Sequence, residues 1–327
     1  LRDNLNNKRI NKIYKKFEIS LNLDKSFAVA VSGGPDSLAL AFLSKIYSLK
    51  KNITSKFFIV DHKLRTGSTN EAKLVQKTLK RHFIKSEILT WKGKKPSKNV
   101  QSTARKKRYD LLFDKCNKFN INKILLGHHS EDLIENFFIR MIRGSGLKGL
   151  TSLEKKNDVN NIDILRPLLN EKKENLIFLS KYVFNFYVKD PSNNDDKYLR
   201  IKVRKIMQEF EKNGLDKKKI LNTIKNLKNS NEVVNFYVNK NIKENTVSSK
   251  NGNKLILKNE FFNHSYEVIF RSLSDVLKLV SKRYYSVRGK KLDKFINIIK
   301  NDKTFKVTLG GCIIERVNKT IIITKEH

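Results

Sequence analysis

The chain has 327 residues, enough for two domains that each bury a core. Its 69 Lys and Arg against 32 Asp and Glu leave a net charge of +37, the electrostatic footprint of a nucleic-acid-binding protein, although a composition rich in Lys, Asn and Ile inflates lysine without reference to function. Two cysteines, Cys116 and Cys312, stand far apart and outside any Cys-x-x-Cys pair, which argues against a disulfide scaffold, a zinc site or an iron–sulfur site. No apolar run approaches the ~18 residues of a membrane span and no signal-peptide pattern opens the chain, so a cytoplasmic protein without membrane contact is expected.

Taken in chain order, residues 27–31 form a short apolar run that reads as a buried strand. A Gly-rich turn, Ser32-Gly33-Gly34-Pro35-Asp36-Ser37, leads from it into a longer apolar run at 38–43 that reads as a helix. Further strands are expected at 56–60, ending at Asp61-His62, at 87–90, at 123–126, ending at Gly127-His128-His129, and at 162–165, stopped by Arg166-Pro167. Alternating strands and helices predict a parallel sheet covered on its faces, with polar residues placed just after strand ends, where such sheets bind ligands. From about Asn213 the character changes. Residues 215–227 put Ile220, Leu221, Ile224 and Leu227 on one helical stripe, and 239–253 read as a polar loop. Strands follow at 305–309, 313–317 and 321–323, with turns at Gly310-Gly311 and Asn318-Lys319. A boundary near 210 is expected, giving a first domain of 1–210 and a smaller α+β domain of 211–327.

The glycine turn carries the chemistry best. Between strand and helix it lets backbone N–H groups approach a phosphate, the helix N-terminus adds partial positive charge, and Ser32 and Ser37 add hydroxyl donors. Asp36 is placed to hold magnesium beside the phosphates. A Gly-Gly-Pro-Asp turn with a serine cap is the plainer reading of the same residues. In Gly127-His128-His129-Ser130-Glu131-Asp132-Leu133-Ile134-Glu135, a helix starting near Ser130 puts Asp132 and Glu135 on one face. Two carboxylates there suit an ammonium group, magnesium or an amine nucleophile, while acids in a first helical turn also simply favour the helix dipole. Arg143 before Gly144-Ser145-Gly146 suits a phosphate contact or a plain helix stop. Two basic clusters, Asp61-His62-Lys63-Leu64-Arg65 and Ala104-Arg105-Lys106-Lys107-Arg108-Tyr109, are weaker signals.

The six-residue turn resembles the SGGxDS signature of the PP-loop ATP pyrophosphatases, which cleave ATP between the α- and β-phosphates and adenylate an oxygen of a second substrate. Within that group the ordered set of blocks at 60–65, 104–109, 127–135, 143–150 and 166–169, with Asp190-Pro191-Ser192-Asn193, resembles the tRNA(Ile)-lysidine synthetase family. That family's Arg-Asn pair reads Arg200-Ile201 here, followed by Arg204. The resemblance implies a parallel-sheet PP-loop fold of the adenine-nucleotide α-hydrolase-like kind, followed by a smaller basic α+β domain that docks tRNA. The chain is expected to stop short of a further C-terminal domain that longer members carry. The implied reaction joins free L-lysine to C2 of the wobble cytidine of a tRNA(Ile) with anticodon CAU, using ATP and Mg2+, through an adenylated intermediate. The resemblance also admits a homodimer.

It further implies roles for particular residues. Ser32, Gly33, Gly34, Pro35, Asp36, Ser37, Asp61 and His62 would surround ATP, with Asp36 on Mg2+. Asp132 and Glu135 would serve the lysine. Arg108, with Arg105 second, would face the adenylate or the lysine carboxylate, His128 would be an active-site contact ahead of His129, and Arg143 would touch the adenylate. A PP-loop tRNA thiolase is the rival enzyme, disfavoured by the isolated cysteines; a non-catalytic RNA-binding protein would explain the charge but not the acids at strand ends.

Overall fold

A computed structural model describes the chain except residues 94–95, 97–99, 160, 189–198, 250–253, 283–286, 302–303 and 327, so the Asp190-Pro191-Ser192-Asn193 block lies outside the described residues. It divides into two compact units, Leu1–Ile224 and Lys225–His327.

The first unit runs α1 (Lys8–Ile19), β1 (Phe27–Val31), α2 (Pro35–Lys51), β2 (Ser55–Asp61), α3 (Ser68–Arg81), β3 (Ser86–Thr90), α4 (Val100–Lys118), β4 (Lys123–Leu125) and α5 (Ser130–Ile142). Then come α6 (Leu147–Leu150), β5 (Lys156–Val159), β6 (Ile162–Leu165), α7 (Lys173–Phe184), α8 (Leu199–Lys212) and the start of α9 (Lys217–Asn245), whose residues from Lys225 belong to the second unit. The strands form one sheet in the order β3-β2-β1-β4-β6-β5. All neighbours are parallel except β5 and β6. β1 alternates between the two faces as a strand must. Phe27, Val29 and Val31 join a core built with α1, α2, α3 and α7, whereas Ala28 joins Leu112, Phe113 and Cys116 of α4 on the other face. α2 is buried nearly all round, from Leu38 to Leu43, and Pro35 sits in its first turn, where its missing N–H costs nothing.

The unit division falls beyond the boundary expected near 210. Val203 and Met207 of α8 and Ile220 and Ile224 of α9 pack on Leu133 and Ile134 of α5, which ties both segments to the first unit. β5 was not expected: Lys156-Asn157-Asp158-Val159 lacks apolar alternation and is a strand because it pairs antiparallel with β6 at the sheet edge.

The second unit holds β7 (Thr246–Ser248), β8 (Lys254–Leu257), α10 (Tyr266–Ser281), α11 (Gly289–Asn301), β9 (Lys306–Leu309), β10 (Cys312–Val317) and β11 (Thr320–Lys325). Its antiparallel sheet, β7-β8-β11-β10-β9, packs on Leu273, Val276 and Leu277 of α10 and Leu292 and Phe295 of α11. The expected turns are present: Gly310 and Gly311 (φ 65 and 82) join β9 to β10, and Asn318 (φ 56) turns into β11. The polar stretch from 239 is not a loop as far as Asn245. It continues α9, where Asn239, Lys240, Lys243 and Glu244 are exposed and Asn241, fully buried, donates to the Phe261 carbonyl at 3.1 Å and to Ser272 Oγ at 3.2 Å.

Candidate active site

β1 lies between β2 and β4, so the order of the parallel strands reverses there and a crevice opens outside their carboxyl ends. The glycine turn leaves β1 into this crevice and Gly127-His128-His129 leaves β4 into it. The two approach closely. A Cβ on Gly127 would stand 3.1 Å from the carbonyl carbon and oxygen of Asp36 and 3.2 Å from Ser37 N, so a side chain there would push α2 away from β4. Gly33 has φ +88, and a Cβ on it would stand 2.5 Å from Val75, so this position needs glycine twice over.

Ser37, whose hydroxyl is expected to meet a phosphate, ties the turn together. Its Oγ accepts from Ser32 N and Gly33 N, each at 3.1 Å, and donates to the Gly34 carbonyl at 3.0 Å. Ser32 Oγ lies 3.1 Å away. No side chain caps the N-terminus of α2, which leaves its first turn open to an anion.

Asp36, in that first turn, faces the start of α5. His129 caps α5, its Nδ1 accepting from Glu131 N at 3.2 Å while Asp132 Oδ2 accepts from His129 N at 3.0 Å. The buried imidazole presents Nε2 at 3.6 Å from both Asp36 Oδ2 and Asp132 Oδ2. Burial raises the Asp36 carboxyl above the ordinary carboxylate range, against the pull of His129 and Lys173. Burial would raise Asp132 too, but His129, His128, the His129 N–H and Arg200 together hold it below that range. Asp36 Oδ1 is buried without a hydrogen-bond partner.

Glu135 does not share this setting. It is 3 % exposed, and both its oxygens are taken by arginines of α8: Arg204 Nε at 2.5 Å from Oε1, and Arg200 Nε at 2.9 Å from Oε2. Arg200 also reaches within 4.0 Å of Asp132 Oδ1. Glu135 was expected to face the lysine amine beside Asp132; in this arrangement it anchors two guanidiniums. Neither arginine was assigned a role from sequence, where the only signal was the altered Arg-Asn pair.

A second cluster is cationic. Arg166, after β6 and 6 % exposed, donates through Nε to His128 Nδ1 at 3.2 Å and through Nη1 to the Glu154 carbonyl at 2.8 Å and to Asn157 Oδ1 at 2.5 Å. Arg105 and Arg108 of α4 lie over the Tyr109 ring at 5.3 and 5.6 Å. Among the described residues no carboxylate pairs with these three arginines. Burial, together with Arg166, Arg105 and Arg108, holds His128 far below its ordinary pKa and therefore neutral at pH 7, despite Asp132. His62, after β2, is lowered by burial and by Arg108, and its Nδ1 is buried without a partner. Arg166 is thus a candidate that sequence reasoning passed over, although it stood in a noted block at a strand end.

Of two further expected site residues, Asp61 ends β2 beside β1, with its carboxylate turned to the chain, and Arg143 lies away from the strand ends. Asp61 is 2 % exposed and spends its carboxylate on the turn into α3, accepting from Lys63 N at 3.0 Å, Ser68 Oγ at 2.8 Å and Thr69 Oγ1 at 2.6 Å. Arg143 is exposed at the far end of α5, about 20 Å from His129 at the rise of an α-helix.

The PP-loop domain family matches residues 3–210. The tRNA(Ile)-lysidine synthase of Orientia tsutsugamushi (strain Boryong) is 36% identical over 310 residues, which span 91% of this chain and 69% of that protein. The chain belongs to the tRNA(Ile)-lysidine synthase family. The lysidine synthase of Rickettsia akari (strain Hartford) is 33% identical over 96% of this chain and 74% of its own length. That of Wolbachia pipientis wMel is 32% identical over 91% and 70%. Membership makes this protein an ATP-using ligase of tRNA(Ile) modification. Among solved structures, U34-tRNA thiolase NcsA from Methanococcus maripaludis has a TM-score of 0.58 at 20% identity, covering 67% of this chain and 78% of that one, and this likeness bears on the fold alone. The cysteines of this lysidine synthase family member are both buried. Burial pushes the Cys116 thiol up to about 12, and Cys312 Sγ donates to the Leu277 carbonyl at 3.5 Å, which suits neither to carry sulfur. No helix among the described residues is long and apolar enough to cross a membrane.

Proposed function

We propose that this enzyme, in the cytoplasm, adenylates the C2 oxygen of the wobble cytidine in a CAU-anticodon tRNA(Ile) and then exchanges the adenylate for lysine. The observation that carries the reading is one buried imidazole, His129, standing 3.6 Å from both Asp36 and Asp132 at the strand-order reversal. In the first step O2 attacks the α-phosphorus and pyrophosphate leaves. In the second the ε-amine of lysine attacks C2, the C2–O bond breaks and AMP departs.

Asp36 would hold Mg2+. Its Oδ1 lacks a partner, and no group of three His, Cys, Asp or Glu side chains among the described residues could hold a metal. That fits an ion carried mainly by substrate phosphates and one carboxylate. Bound magnesium supplies charge neutralisation on the departing pyrophosphate. The Ser37-tied turn and the open first turn of α2 would receive the phosphates. Asp132, kept ionised, would bind the lysine ammonium by charge; a carboxylate held that low is a weak base, so the ammonium proton goes to solvent before attack. Glu135 would act through Arg200 and Arg204, aligning α8 beside Asp132. Arg108, Arg105 and Arg166 would take an anion, the adenylate phosphate or the lysine carboxylate, with neutral His128 as an oriented contact. The second unit would dock the body of the tRNA.

Labelled ATP and a CAU-anticodon transcript, with and without lysine, test the reaction. Lysine-dependent release of AMP and pyrophosphate with one lysine fixed per AMP is expected; phosphate release, or turnover indifferent to lysine, would contradict it.

A further inference from the structure

α7 starts at the crevice. Just before it the Glu171 carbonyl accepts from Ser130 N at 3.0 Å, which fixes the start of α7 beside the start of α5. Leu176 and Leu179 of α7 join the core that α2 fills with Leu38 to Leu43, and beyond the end of α7 Val188 N donates to the Gly33 carbonyl at 2.9 Å. The first residue of α7 is Lys173, which is half-buried. It makes no hydrogen bond and no ion pair among the described residues. The acid two positions earlier, Glu171, is already occupied by Lys16 and Asn175, each at 3.1 Å. The Lys173 ammonium nevertheless lies near enough to Asp36 to pull its carboxyl downward, second among the neighbouring charges only to His129.

Helix energetics do not explain a lysine here. The N-terminus of a helix carries partial positive charge, so Lys172 at the N-cap and Lys173 after it both oppose the dipole, and no side chain caps that end. A half-buried ammonium set against the dipole and left without a carboxylate matches an anion that arrives from outside. The surroundings say which anion. The glycine turn contains no lysine, Asp36 is assigned to Mg2+, and Arg105, Arg108 and Arg166 bear on His128. We propose that the Lys173 ammonium takes the β- and γ-phosphates of ATP and holds the pyrophosphate as it leaves. The proposal rests on the functional reading above. When O2 of the cytidine attacks, the bond from the α-phosphorus to the bridging oxygen breaks and its electron pair stays on pyrophosphate; a fixed ammonium offsets that charge where it develops. The α-phosphate goes with the tRNA, so Lys173 distinguishes ATP and pyrophosphate from AMP.

Equilibrium binding of ATP, pyrophosphate and AMP to the full chain in Mg2+, with single-turnover adenylation of the CAU transcript, tests it. Lys173→Gln is expected to weaken ATP and pyrophosphate binding roughly ten- to hundred-fold, the worth of one charge-assisted contact, and to leave AMP affinity unchanged. Adenylation at subsaturating ATP should slow in step. Lys173→Arg should restore most of both. Lys172→Gln removes the same charge one residue away and should change neither, which separates a contact from a general loss of positive field. Melting of Lys173→Gln should not fall, since the lysine opposes the helix dipole. If it does fall, Lys173→Met keeps the stem without the ammonium, and the same selective loss is expected. Native melting with wild-type affinity for ATP and pyrophosphate would overturn the proposal. So would an equal loss for AMP and ATP, or an equal loss in Lys172→Gln. A wild-type enzyme that binds ATP yet forms no lysidine would instead overturn the functional reading.

Discussion

Ser37 and Asp36 are adjacent, yet they fail in different ways when replaced. Ser37→Ala removes the acceptor of two backbone N–H groups and lets the glycine turn relax; Asp36→Ala removes a carboxylate whose Oδ1 is buried without a partner. Both should abolish tRNA adenylation while leaving tRNA affinity nearly intact, because that affinity comes from dispersed basic contacts. Equal loss of binding and chemistry, with native melting, would contradict the placement of the phosphates. Asp61 gives a residue-scale prediction about stability. Burial would raise its carboxyl, but Thr69, Ser68 and the Lys63 N–H outweigh this and hold it below 3.8. A folded pKa below the unfolded one means stability that is present above about pH 4 and lost as pH falls through the depressed value. Asp61→Asn cannot accept from both hydroxyls and should cost about 1–3 kcal/mol at neutral pH. In thermal melts the gap between variant and wild type should close as pH drops toward 2.

At the scale of elements, the Glu135 clamp joins α5 to α8. Glu135→Gln leaves two part-exposed guanidiniums beside an uncharged partner and should cost about 1–2 kcal/mol, less than a fully buried ion pair would. Its effect on lysine transfer should not add to that of Arg200→Gln, since both act through the same guanidinium; a double variant as impaired as the two losses combined would put Glu135 on the lysine directly. The parallel strands and the β9, β10 and β11 run were legible from the sequence because apolar runs and glycine turns mark them locally. β5 and the full length of α9 were not. β5 has no apolar alternation and exists through pairing, and in the polar end of α9 the buried side is an asparagine, Asn241, whose partners lie 20 and 31 residues away. The site divides along the same line. Asp36, Asp132 and His129 come from motifs at strand ends, whereas the capture of Glu135 by arginines 65 and 69 positions later is long-range pairing. No periodicity shows it.

Across the whole molecule, the division at 224 suggests where to cut. Residues 1–224 contain the sheet, both acids and the α8 and α9 segments packed on α5. That fragment should melt cooperatively and keep ATP binding, while tRNA affinity and its salt slope both fall as fewer phosphates are neutralised. A folded fragment with unchanged tRNA affinity would remove the docking role from residues 225–327.

On the proposed reading, Asp36 and Asp132 share one site but serve successive steps, ATP first and lysine second. A single-turnover experiment with Asp132→Asn, quenched at intervals in the presence of ATP, CAU transcript and lysine, tests it most directly. Adenylated tRNA should form at close to the wild-type rate and accumulate while lysidine lags; loss of adenylation itself, with no accumulating intermediate, would contradict the claim and move Asp132 to the ATP side.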